Sequence, residues 1–262
     1  MMENPYVNLY DPLPAAQPYL DRIGYEGDVN NDVDTLNRLI RCHAEHVPFE
    51  NIDVFLKQQT PSLVVADLWD KIVLRRRGGY CFELNGLFVK LLEALGFEVY
   101  GVGVRIQMGL PFLRPITHRA MIVILEDRKY YVDVGFGGPA PITCIDLSDN
   151  DWQQSGSRSY RVEWDDNMVY IYMEENGEES LLFQFLDDPW DEIDYLAPNL
   201  LCSVPGAHFA GLLCISMRTP GGHRSMDMDS VKLTEGGQTK EIALHTDAER
   251  EAAMAEYFGI HL

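Results

Sequence analysis

The sequence predicts an α+β protein: helices first, an antiparallel sheet second, a mixed tail last. Three observations carry this. Apolar residues recur with a helical period through the first ninety-odd residues. Beyond residue 98 short alternating runs are punctuated by Asp, Asn and Gly. A capped helical pattern closes the chain.

Taken in order, Leu36, Leu39, Ile40, His43 and Val47 follow a 3.6-residue period that Pro48 ends. Leu84, Leu87, Phe88, Leu91, Leu92 and Leu95 form the clearest apolar stripe, and Gly96 stands where a helix C-terminal glycine belongs. A helix is therefore expected over about 81–95, with Gly78 and Gly79 just before it. Residues 98–106, 119–125 and 129–134 read as strands, the last two joined by a turn at Glu126-Asp127-Arg128. Residues 160–164, 168–173 and 180–185 read as a meander turning at Asp165-Asp166-Asn167 and Glu175-Asn176-Gly177. Short strands at such close spacing suggest a barrel or a strongly curved antiparallel sheet. The acidic stretch 187–194, with its Pro and Trp, reads as a linker. A strand over 212–218 and a helix over 247–258 complete the chain. That helix has a capping box, Thr246 with Glu249, and Gly259 at its end.

The chain has 262 residues, 46% of them hydrophobic, enough for a sizeable core. Asp and Glu number 41 against 21 Lys and Arg, a net charge of −20. Such a charge argues against a nucleic-acid binder and against docking on anionic membranes. The N-terminus lacks the basic and apolar regions of a secretory signal, and the apolar runs are too short to span a bilayer. Five irregularly spaced Cys suggest reduced thiols. A soluble, cytoplasmic protein is expected.

The chemistry concentrates in Arg77-Gly78-Gly79-Tyr80-Cys81-Phe82-Glu83-Leu84-Asn85. Cys81 lies at the expected start of the strongest helix, where unpaired amides and the helix dipole favour thiolate. The paired glycines permit close approach of backbone to a bound group. The competing reading is a thiol packed in the core. A nucleophilic Cys needs a base, and His118, opening the run His118-Arg119-Ala120-Met121-Ile122, is the best candidate of the seven His. Asp133 lies among apolar neighbours that imply burial, which a carboxylate tolerates only when paired. With a two-residue turn at Glu126-Asp127, His118 and Asp133 share a sheet face, one diagonal step apart. A three-residue turn breaks that parity. Cys, His and Asp then supply nucleophile, base and orienting group. His43 and His46 flank Glu45 without further ligands, so no metal is expected. Between residues 71 and 130 ten basic residues stand against five acidic ones. This locally positive window around Cys81 and His118 suits an anionic ligand.

These residues resemble the arylamine N-acetyltransferases. The resemblance rests on 77–83 with Asn85, on Thr117-His118, and on Val132-Asp133-Val134-Gly135-Phe136-Gly137. Val47-Pro48-Phe49-Glu50-Asn51 and residues 19–25 add to it. It implies a helical bundle (1–95) carrying Cys81, a central antiparallel β-barrel (96–195) carrying His118 and Asp133, and a C-terminal α/β lid (196–262). The core would be like that of papain-type peptidases and transglutaminases. It implies ping-pong chemistry in which Cys81 takes an acetyl group from acetyl-CoA as a thioester. The group then passes to a small aromatic amine or hydrazine. His118 would act as base, paired with the thiolate, and Asp133 would orient it. Phe49 and Phe136 would line the acceptor pocket, with Phe209 reaching it from the lid, and 107–115 would lie by the coenzyme entrance. Ala207 departs from the Ser that the resemblance leads one to expect there. An amide synthase closing a macrolactam with the same triad is the alternative. A cysteine hydrolase or a non-catalytic relative are further readings.

Overall fold

The computed structural model describes residues 5–262. Its helices are α1 (Ala16–Ile23), α2 (Val33–His46), α3 (Ile52–Phe55), α4 (Val65–Leu68), α5 (Cys81–Ala94), α6 (Leu196–Ser203), α7 (His208–Gly211) and α8 (Asp247–Phe258). A short strand, β1 (Phe49–Glu50), lies between α2 and α3. The sheet region contains β2 (Glu98–Ile106), β3 (His118–Leu125), β4 (Arg128–Val132), β5 (Ile145–Asp146), β6 (Gln153–Ser155), β7 (Arg158–Asp165), β8 (Met168–Glu175) and β9 (Glu178–Leu186). The tail adds β10 (Ile215–Thr219), β11 (Gly222–Met226), β12 (Ser230–Glu235) and β13 (Gln238–Ala243).

Helix α5 begins at Cys81, as its apolar stripe and Gly96 predict, and every residue from Cys81 to Leu92 is buried. It is a central helix, and its polar residues Glu83, Asn85 and Lys90 are buried along with its apolar stripe. The eight-stranded antiparallel sheet runs in the order β5-β4-β3-β2-β9-β8-β7-β6 and curls almost shut. Side chains clasp its two edges: Asp146 N donates to Gln153 Oε1 and Gln153 Nε2 donates to Asp146 O, each at 2.8 Å. Strand β3 is buried on both faces. Met121 and Val123 pack on the helices, whereas Ala120 and Ile122 fill the barrel with Tyr131 and Phe183. A third core joins α8 to the five-stranded sheet β1-β10-β11-β12-β13, through Leu213, Ile215, Met226, Val231, Met254 and Phe258.

Two expectations need correction. The stretch 187–194 is a strap packed on the barrel, not a loose linker. Asp187 accepts from Tyr100 Oη at 2.5 Å and pairs with Lys129, and Glu192 pairs with the buried Arg119. Rings of the strap and its continuation, Trp190 and Tyr195, lie against Gly103 and Gly101, where any Cβ would overlap them. The segment after 212–218 continues as three further strands. Their exposed faces give little apolar alternation to read, the run Gln238–Ala243 being almost wholly exposed.

Candidate active site

The turn between β3 and β4 has two residues, Glu126 and Asp127, both with positive φ. This is the twist that a tight hairpin favours. It sets Leu125 opposite Arg128 and Met121 opposite Val132. His118 and Asp133 therefore fall on the inner face of the barrel, one diagonal step apart. His118 Nε2 lies 2.6 Å from Asp133 Oδ2, both side chains being at most 1% exposed.

Asp133 accepts three further hydrogen bonds: Tyr131 Oη at 3.1 Å, Asn85 Nδ2 at 2.9 Å and Gly135 N at 3.0 Å. Burial pushes its carboxyl up, but His118 and these donors outweigh burial and hold it below the usual range. An ionised carboxylate can only accept, so Nε2 of His118 carries the proton. Nδ1, the other ring nitrogen, is buried and without a protein partner. The imidazole is held in place by aromatic rings, stacked on Phe183 at 5.7 Å and edge-on to Phe136 at 5.5 Å.

Cys81 is the first residue of α5. Its thiol donates to the carbonyl of Thr117, the residue before His118, at 3.8 Å. The Cys202 thiol reaches the same carbonyl at 3.6 Å. Burial pushes the Cys81 thiol well up, Cys202 and Asp133 add to this, and the amides of Arg119 and Phe82 draw it down. Burial thus opposes the thiolate that the helix terminus favours.

The other motif residues build the scaffold under Cys81. Glu83 accepts from Tyr80 N at 3.0 Å and from Lys71 at 2.7 Å. Lys71 also holds Asp53 at 2.7 Å, and Arg77 grips Glu50 at 2.7 Å. This buried charge network joins residues 77–83 to the segment that carries Phe49. A Cβ at Gly78 would overlap the Pro48 carbonyl, and Glu50 N bonds Gly79 O at 2.8 Å. The glycines serve chain-to-chain approach here.

Phe49 and Phe136 line a cavity of about 280 Å³ together with Asp133 and Gly137. Phe209 meets Phe49 and Tyr80, with ring centroids 5.8 Å away in each case. Asn51 ties the Phe209 segment down, donating to the carbonyls of Phe209 and Leu212 at 2.8 and 2.7 Å and accepting from Cys214 N at 2.7 Å. Ala207 is the N-cap of α7 and makes no side-chain cap, the role a Ser hydroxyl fills well.

Folding pairs seven of the ten cations of the positive window. Lys71, Arg75, Arg77, Lys90, Arg119, Arg128 and Lys129 all pair with carboxylates. Sequence reasoning assigned no role to Asn85 or Tyr131. The signal for Asn85 was its position one helical turn beyond Cys81 on the same face. Among the described residues, no His, Cys, Asp and Glu group is arranged to hold a metal.

A family model described as N-acetyltransferase matches residues 32–262. The arylamine N-acetyltransferase of Mycolicibacterium smegmatis is 32% identical over 93% of this chain and 91% of its own. That of Escherichia coli K12 is 32% identical over 94% and 89%. This chain belongs to the arylamine N-acetyltransferase family. In structure it is similar to the enzyme from Salmonella typhimurium, with a TM-score of 0.89, 26% identity and coverage of 95% and 92% of the two chains. The Mycobacterium marinum enzyme in complex with CoA gives 0.86, with 28% identity over 94% and 93%. The α+β class and the nearly closed barrel are those of its family, and the chemistry is acetyl transfer from acetyl-CoA to arylamines.

Proposed function

We propose that Cys81, His118 and Asp133 carry this acetyl transfer in two half-reactions. In the first, His118 Nδ1 takes the thiol proton and the Cys81 sulfur attacks the thioester carbonyl of acetyl-CoA. The carbon–sulfur bond to the coenzyme breaks, and its thiolate leaves with the proton from His118. In the second, the amine nitrogen attacks acetyl-Cys81, His118 takes the amine proton, and the Cys81 sulfur leaves. Asp133 fixes the imidazole tautomer and stabilises its cation. The observation that carries this is the 2.6 Å His118–Asp133 bond beside the Cys81 thiol on Thr117 O.

Phe49 and Phe136 hold the acceptor ring, with Phe209 closing behind Phe49. Aromatic hydrazines present the same attacking nitrogen and are acceptors on this reading. Residues 107–115 flank the coenzyme's path. The three segments 1–95, 96–195 and 196–262 act as nucleophile-bearing, base-bearing and covering units. Among the described residues no helix is long and apolar enough to cross a membrane, and the cytoplasm is the compartment this reading assigns. The macrolactam alternative gains no support from the relatives named above.

Intact-protein mass spectrometry after mixing with acetyl-CoA tests the reading. One acetyl group on the wild type and none on Cys81→Ser is expected. An unmodified wild type would contradict it.

A further inference from the structure

The cavity beside Asp133 carries cations that the triad does not use. Arg158, Arg218 and His223 share its wall with Phe49 and Phe136. The same three residues also line a larger adjoining depression of about 760 Å³, so they stand where the two spaces meet. In a chain of net charge −20 this clustering runs against composition.

The two arginines are incompletely compensated. Arg158 pairs with Glu175 through Nη2 at 2.7 Å, while its Nε is buried without a protein partner. Arg218 Nη2 donates to two neutral acceptors, the carbonyls of Gly138 and Ala140, at 3.0 and 3.3 Å. Burial and then Arg158 push the Arg218 guanidinium down, against Tyr160 and Glu175. Burial and the same two arginines push His223 down, which favours its neutral form as a hydrogen-bonding group. Of the other charges on these walls, Asp133 is held by His118, and Arg41 and Glu45 lie together on α2.

We propose that Arg158 and Arg218, with His223, form a subsite for a carboxylate or phosphate oxyanion carried by one of the two substrates. Planar guanidinium groups match such oxyanions bidentately, and a partly enclosed site strengthens the pairing. The oxyanion has two sources, an acidic substituent on the arylamine ring or the phosphates of the acetyl donor. Both spaces open onto the two guanidinium groups, so either substrate's oxyanion can be brought to them. This inference rests on the acetyl-cysteine reading above.

The test compares wild type, Arg158→Gln and Arg218→Gln in two arms. The donor arm measures Cys81 acetylation by acetyl-CoA against neutral S-acetylpantetheine. The acceptor arm starts from enzyme acetylated with p-nitrophenyl acetate and compares para-aminobenzoate with its methyl ester. The ratio of anionic to neutral kcat/KM is expected to fall at least about tenfold in one arm, the lower end for a charge-assisted hydrogen bond. The arm in which it falls names the source. Ratios unchanged in both arms overturn the subsite. Should either variant fail to fold, the wild type decides: its ratio falls as salt rises if the subsite exists, and a salt-independent ratio in both arms overturns it. Absence of acetyl-Cys81 with every donor instead overturns the acetyl-cysteine reading and takes the subsite with it.

Discussion

Asn85 and Asp133 are joined by a 2.9 Å hydrogen bond from Asn85 Nδ2 to Asp133 Oδ1, and both residues are buried. Asn85 also donates to Arg119 O at 2.5 Å and accepts from Val134 N at 2.9 Å. One amide side chain on α5 thereby ties the Cys81 helix to the strands that carry the base and its partner. Gly135 lets the chain close in, since a Cβ there would sit 3.0 Å from Cys81 Cα. On the mechanism proposed above, Asn85 is a positioning residue for Cys81, His118 and Asp133.

Asn85→Ala leaves two buried groups, Asp133 Oδ1 and Arg119 O, and the half-buried Val134 N with one partner fewer. A stability loss of about 1–3 kcal/mol in urea unfolding is expected. A structural role alone would stop there. A positioning role also lowers kcat more than it raises KM and shifts the pH–rate profile, because Asp133 loses a donor to its charged form.

Asn51→Ala releases the segment that carries Phe209, cutting three hydrogen bonds. Phe209 touches the Phe49 ring, which lines the cavity, and not the His118–Asp133 pair. The acceptor KM is expected to rise about tenfold while single-turnover acetylation of Cys81 changes less. Stopped-flow measurement of the two half-reactions separates these effects.

Glu192→Gln removes the carboxylate that faces the fully buried Arg119 guanidinium at 2.7 Å through both terminal nitrogens. The ring of Tyr195 lies 4.1 Å from that guanidinium and cannot replace the charge. An uncompensated buried cation costs about 3 kcal/mol, to be read as a fall in the urea midpoint. Wild-type stability in this variant would show the strap to be dispensable.

Acid stability follows from the same network. Burial pushes the Asp53 and Asp133 carboxyls up, but Lys71 and His118 respectively outweigh it and hold both below the ordinary value. Their stabilisation is fully present above about pH 3.9, the unfolded value. It is lost as pH falls through the folded values. Glu83 has the opposite sign: burial holds it above its ordinary value, which disfavours folding as it ionises. Asp32, Asp146, Glu163 and Glu249 are also held below their ordinary values by hydrogen bonds, so the lowered carboxyls outnumber Glu83 and stability falls on acidification. Urea unfolding at about pH 6 and about pH 3 should show lower stability in acid, with a smaller difference in Asp53→Asn.

Much of the site was legible because chemistry and geometry share short segments. Cys81 opens α5 on the spacing of its leucines, and the two-residue turn at Glu126-Asp127 fixes the parity of His118 and Asp133. The strap at 187–194 was not legible, because an acidic Pro-Trp run gives no period. Its order comes from Arg119, Tyr100 and the Gly101 and Gly103 surface, which lie far off in sequence. The pairings inside the positive window were hidden for the same reason: Lys71 and Arg77 meet Glu50 and Asp53, and a count along the chain does not see across space. The cations that do line the cavity, Arg158 and Arg218, come from strands outside that window.

The central claim is that His118, oriented by Asp133, makes the Cys81 thiolate against an environment that opposes it. The pH dependence of Cys81 alkylation in wild type and His118→Gln measures this directly. The wild type should titrate below the free-thiol value of about 8.5, and His118→Gln above it, where burial, Cys202 and Asp133 push the thiol. Matching profiles for the two proteins would contradict the claim.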